Sequence, residues 1–184
     1  KKSDGLGMVQ SGEGILLFEN SSISNVGGVD AINGSNSYLP RLHVSYGNLK
    51  VRAWTGTASW TFTNENGTAQ SINADSSHPL EMVEYIKTWA INIPNRKGNP
   101  ILVLDFDVVP DSIKSNGWFF TEKGKTKSFD PTVEGMTIVL NDSSEPCLYE
   151  VVATWDSSKE HFGTVHYAFY VSSNSILAMS VKEI

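Results

Sequence analysis

Residues 147–171 read CLYEVVATW, DSSKEHFG, TVHYAFYV: two alternating apolar runs joined by a polar loop. In the first run Tyr149, Val151, Ala153 and Trp155 share one face, and in the second Val165, Tyr167, Phe169 and Val171 do. Alternation of period two, rich in aromatic and β-branched residues, is the pattern of a strand with one buried face. The stretch predicts a β-hairpin. Glu150, Thr154, His166 and Tyr170 then fall on the opposite face, open to cover by another element.

The same pattern recurs outward along the chain. Leu42, Val44 and Tyr46 alternate, Gly47-Asn48 makes a turn, and Leu49, Val51 and Ala53 alternate in return. Ala58, Trp60 and Phe62 point one way, and Asn66-Gly67 follows as a hairpin turn because both residues tolerate positive φ. Within 101–108, Leu102, Leu104, Phe106 and Val108 form a buried face. Residues 115–121 and 136–140 read as further strands, and 176–181 either adds a last one or lies along an edge. Only 79–90, PLEMVEYIKTWA, has helical spacing, with Pro79 suited to the first turn and Ser76 or Ser77 to the cap. Together these runs predict an all-β fold, an immunoglobulin-like antiparallel β-sandwich with one short helical insertion at about 79–90. The Gly-, Ser- and Asn-rich start makes residues 1–14 a flexible arm and 15–184 the single sandwich domain.

Composition narrows the function classes. The 184 residues carry a net charge of -6, and 40% of them are hydrophobic. No apolar run approaches the roughly 20 residues that span a bilayer. An acidic surface without a basic stripe argues against nucleic-acid binding, which rests on neutralising phosphates. Lys123, Lys125 and Lys127 read as a solvated strand edge. The single cysteine, Cys147, excludes an intramolecular disulfide and a CxxC metal knuckle. Following Pro146 at a strand entrance, it reads as a small apolar residue.

Few residues carry a chemical signal. Asp105, Asp107 and Asp111 are the densest carboxylate group and the weak candidates for a Ca²⁺ site, but they lack the glycine and glutamate of a calcium hand. A solvated strand face accounts for them, and no metal is expected. His43, His78, His161 and His166 form no HxH or HxxxH pair. There is no GxSxG, SxxK, Walker loop or GxGxxG, so neither cofactor nor catalysis is expected. Asn20, Asn33, Asn66 and Asn141 each begin an N-x-Ser/Thr sequon. Trp60 and Trp155 lie in phase with apolar neighbours and belong to the core. Trp54 and Trp118 adjoin Gly and Asn turns, which favour exposure; with Trp89 they are the candidate ligand-binding aromatics, a platform on which a sugar would stack.

Three segments occur here in one order: GTASWTFTNENGTAQSINADSSHPLEM, LVLDFDVVPDSI and YEVVATW with GTVHYAFYV. They resemble extracytoplasmic β-sandwich domains of Firmicutes, found as lipoproteins or sensor ectodomains. The matching residues are Gly56, Ser59 and Trp60; Asp75, Ser76 and Pro79; Pro110, Asp111 and Ser112; then Tyr149, Trp155, Tyr167 and Phe169. The resemblance covers about residues 50–171 and brings no catalytic motif. It implies a non-catalytic binding or interaction module at the cell surface, with a protein or glycan of the envelope as partner. Membrane attachment would come only through an N-terminal lipid anchor preceding KKSDG. Three other functions compete: a carbohydrate-binding module using exposed aromatics, a sensor ectodomain, and a hydrolase whose site assembles in space. Two or three aromatics exposed on one face would favour the first. A polar pocket with convergent titratable groups would favour the last.

Overall fold

In the computed structural model, residues 39–64, 66–93, 96–121, 125–143 and 145–173 are described, with the strand backbone at 8–11, 14–19 and 22–25. In chain order the strands are β1 (Met8–Ser11), β2 (Gly14–Glu19), β3 (Ser22–Asn25), β4 (Leu42–Tyr46), β5 (Leu49–Arg52), β6 (Trp54–Thr63) and β7 (Ala69–Ala74). The helix α1 (Val83–Ile86) and a 3₁₀ turn at Lys87–Trp89 follow. Then come β8 (Ile91–Asn92), β9 (Ile101–Phe106), β10 (Ser112–Phe120), β11 (Thr126–Phe129), β12 (Thr132–Glu134), β13 (Thr137–Val139), β14 (Cys147–Trp155) and β15 (Phe162–Ser172).

The hairpin β14–β15 is the centre of the larger sheet, whose order is β11-β10-β14-β15-β6-β7, with β8 added in parallel beside the end of β15. The facing sheet runs β12-β13-β9-β4-β5, and β1-β2-β3 form a small third sheet. Hairpin register places Tyr149 opposite Phe169, Val151 opposite Tyr167 and Ala153 opposite Val165. These residues are buried together with Trp60, Phe62, Ile72 and Trp155 from their own sheet and Leu42, Val44, Leu102, Leu104 and Ile138 from the other. One core therefore joins the two layers, and the fold is the all-β sandwich that the alternation predicts. Fully burying a large apolar side chain stabilises by about 1.5–3 kcal/mol. Trp155 meets Trp60 edge-on at 5.1 Å, and its Nε1–H donates to the Val108 carbonyl at 3.2 Å. Tyr167 Oη–H donates to the Pro40 carbonyl at 2.6 Å, so its polar tip is satisfied inside the core.

Several expectations need correction. β9 stops at Phe106, and Val108 is exposed rather than part of the buried face. The Asn66-Gly67 turn forms, but Gly67 alone takes positive φ. Asn64 Oδ1 accepts from the backbone N–H of Asn66 and Thr68 and closes the turn instead. In the small third sheet Met8–Ser11 pairs with Gly14–Leu17. Residues 1–7 and 12–13 lie outside the described residues, as do the run 176–181 and the sequons at Asn20 and Asn33.

The helical insertion is shorter than the spacing predicts. Pro79 sits in a preceding turn, and no side chain caps α1. A four-residue helix has no stability of its own. Packing holds it: Ile86 is buried with Trp54, Leu148, Ala168 and Tyr170. The insertion thus covers one end of the outer face of the hairpin. The Lys87 ammonium lies 5.6 Å from the Tyr170 ring and 5.7 Å from the Phe120 ring, closing that end with cation–π contacts.

Arg96, in the connection from β8 to β9, is buried against the larger sheet. Its Nη1 donates to the Glu145 carbonyl and to Cys147 Sγ, both at 2.9 Å, and its Nη2 donates to the Val171 carbonyl at 3.1 Å. The guanidinium clamps the start of β14 to the end of β15. Burial pushes the Cys147 thiol up, and Arg96 only partly offsets it. The thiol is therefore held protonated and shielded, the opposite of a reactive cysteine.

Candidate functional site

A break in the ladder between β6 and β15 makes the site. Val165 pairs with Ala58 and Tyr167 with Thr55, so Gly56 and Thr57 together stand opposite His166. Such a bulge adds a residue to one strand, bends it and re-aims its side chains. Here it lets Trp54 face out under the helix while Ala58, Trp60 and Phe62 face the core. Gly56 is required by space. A Cβ there would meet Cζ3 of Trp54 at 2.9 Å and Oγ of Ser76 at 3.1 Å.

Beyond the end of β7 the chain crosses this bulge on its way to α1. Ser76 follows it closely: its backbone N–H lies 3.4 Å from Thr57 Oγ1, and the two hydroxyls are 3.4 Å apart. The crossing leaves a cleft of about 230 Å³ lined by Trp54, Gly56, Thr57, residues 76–79, Glu150, His166 and Tyr167. Its polar groups come from three directions: the crossing segment, the bulge, and the outer face of the hairpin.

Glu150 is buried on that outer face. His166 Nδ1 lies 3.1 Å from its Oε1, and Asn116 Nδ2 donates to its Oε2 at 2.8 Å. The bond from His166 holds the Glu150 carboxyl below its ordinary value, with Asn116 and the nearby His78 adding to the effect and burial opposing it. The group is therefore a carboxylate, which only accepts, so His166 presents an N–H at Nδ1, and in the neutral imidazole Nε2 is left as an acceptor. His78 has the opposite assignment. Its Nδ1 accepts from the Leu80 backbone N–H at 3.2 Å, so its proton resides on Nε2. The His78 ring stands edge-on to Trp118 at 5.3 Å.

The aromatic candidates separate. Trp54, expected to be exposed, is buried at 6% exposure beneath the insertion, and it supplies a wall of the cleft. The correction has a clear cause: the bulge turns Trp54 to the outer face, and the insertion then covers it. Its Nε1–H has no acceptor among the described residues. Trp118 is half-buried in the same apolar cluster, and Trp89 is 38% exposed and edge-on to Tyr85. The three do not form one exposed flat face. Trp60 and Trp155 are core residues.

The aspartates do not converge either. Asp105 pairs with Lys50 at 2.6 Å, and Asp111 pairs with Lys159 and accepts from the Asp156 backbone N–H, both at 2.7 Å. Among the described residues no three His, Cys, Asp or Glu side chains come together as a metal site, and no helix is long and apolar enough to cross a membrane.

Alternation places Glu150 and His166 on one face, but the cleft itself escapes sequence reading. The hairpin register, in which Glu150 opposes Ala168 and Val152 opposes His166, makes them diagonal neighbours and is the signal that finds the pair. Comparison with family models, curated proteins and solved structures finds no match for the chain.

Proposed function

We propose that this chain is a non-catalytic binding module of the cell envelope and that the cleft over the β6 bulge is where it takes its ligand. One observation carries the reading. Glu150, His166, His78, Thr57, Ser76 and Ser77 gather polar groups around a preformed cavity on the outer face of the sheet, away from the core that joins the two layers. Convergent polar groups at a concave site are what small-molecule recognition uses. The envelope placement rests on the resemblance of the three segments above, and on nothing in the site. Catalysis is disfavoured because both oxygens of Glu150 are already engaged and no hydroxyl among the described residues hydrogen-bonds His166.

A glycan and envelope-polymer binding screen on the purified chain tests the proposal, with Ser77→Trp as the paired variant. Ser77 is exposed at the cleft, so a bulky ring there obstructs the cavity while sparing the core. The reading expects saturable binding that Ser77→Trp abolishes. Binding that survives the obstruction, or none at all, overturns it.

A hydrolase is the second reading, and the Glu150–His166 pair beside three hydroxyls favours it. Carboxylate-oriented imidazole is the arrangement that activates a nucleophile. Turnover of an ester or amide panel that His166→Gln abolishes would establish that reading in place of the first.

A further inference from the structure

We infer that the cleft takes a neutral polyhydroxyl ligand, a single sugar ring, held between an imidazole acceptor and an imidazole donor. The inference rests on the cleft being the ligand site and adds the chemistry of what enters it.

Charge excludes most alternatives. No lysine or arginine lines the cavity, and the one charged wall residue, Glu150, is a carboxylate. An anionic ligand would meet like charge and no cation. A cationic ligand would find one carboxylate, whose oxygens already accept from His166 and Asn116, and no second anionic group on the lining to complete its site. A neutral ligand remains.

The hydrogen-bonding pattern then selects hydroxyls. The neutral His166 ring, its Nδ1–H turned to Glu150, offers Nε2 as an acceptor, and His78, whose Nδ1 accepts from the Leu80 amide, offers Nε2–H. One lining imidazole therefore accepts and the other donates. Thr57, Ser76 and Ser77 add hydroxyls, each of which both donates and accepts. Neighbouring hydroxyls on a sugar ring match this set: one donates to His166, the next accepts from His78. The small exposed part of Trp54 at the wall adds an apolar contact for a C–H of the ring. A volume of about 230 Å³ is below the usual range for drug-sized ligands, which suits one ring.

The test titrates the full chain at neutral pH with N-acetylglucosamine, glucose and galactose. Glucuronate and glucosamine serve as charged counterparts, with adenosine and a capped dipeptide as non-sugar probes. The readout is the ¹⁵N–¹H imidazole resonances of His78 and His166. The expected result is saturable movement of both imidazole signals by a neutral sugar, with affinity about tenfold weaker for the charged counterparts. His166→Phe and His78→Phe should each weaken the neutral sugar by about tenfold, the scale of a hydrogen bond left unmade. The charge series uses the unaltered protein and stands even if a variant fails to fold. If adenosine or the dipeptide moves the signals and no neutral sugar does, the sugar inference falls and the ligand site stands. If no probe moves them, both fall.

Discussion

Removing the Glu150 carboxylate tests the geometry of the cleft through stability alone. Glu150→Leu keeps a side chain of similar size but leaves His166 Nδ1–H and Asn116 Nδ2 without the acceptors they meet at 3.1 and 2.8 Å. A hydrogen bond to a charged group contributes about 1.5–3 kcal/mol, and the His166 bond falls toward 1 kcal/mol because that imidazole is about one-third exposed. The variant should lose about 2–3 kcal/mol, and His166→Leu about 1 kcal/mol. The double variant should lose less than the sum, with a coupling of about 1 kcal/mol. Urea denaturation followed by tryptophan fluorescence reads all four proteins. The pH dependence has a definite sign. The Glu150 carboxyl is depressed in the folded state, so its contribution is fully present above the ordinary glutamate value, about 4.3, and is lost as pH falls through the lowered value. The part of the stability gap between wild type and Glu150→Leu that comes from the carboxylate should therefore shrink in acid. A coupling below about 0.3 kcal/mol at pH 7 would refute the pairing, since independent sites add to within that error.

Other consequences are simpler. Gly163 holds φ of +141°, and a Cβ there would collide with the Ser59 carbonyl oxygen across the ladder, so Gly163→Ala should cost at least about 3 kcal/mol; a urea midpoint close to wild type would contradict this. Trp155→Phe removes the bond to Val108 and shrinks the edge contact with Trp60, for a loss of about 2–3 kcal/mol in the same assay. Cys147 is fully buried and its thiol is pushed up by burial, so a disulfide-exchange reagent should label it only after unfolding; rapid labelling of the native protein would count against the clamp with Arg96.

The layers of this protein were legible because alternation is a local property. Tyr149, Trp155, Tyr167 and Phe169 declare their face by position alone, and the structure buries all four. The same rule failed at Val108, where the strand ends two residues early and alternation no longer assigns a side. At Trp54 a different argument failed, the expectation that a residue beside Gly and Asn turns is exposed. Nothing in the stretch Trp54–Ala58 announces an extra residue in the ladder, and that single bulge puts Trp54 on the outer face while Trp60 stays in the core. The cleft is illegible for a related reason. It is built by three segments separated by up to about a hundred residues, and only the register between β14 and β15 brings Glu150 within reach of His166. The segment at 76–79 carried a helix-cap signal, but its residues serve the crossing over the bulge instead.

Two imidazoles bonded through Nδ1 in opposite senses, His166 as donor and His78 as acceptor, line one cleft. Long-range ¹⁵N–¹H correlation NMR of the unliganded protein near neutral pH measures this directly. It should find the proton of His166 on Nδ1 and that of His78 on Nε2, as their bonds to Glu150 and the Leu80 amide require. The reversed assignment at either ring, or an average of both tautomers, would contradict the donor–acceptor pair on which the reading of the cleft depends.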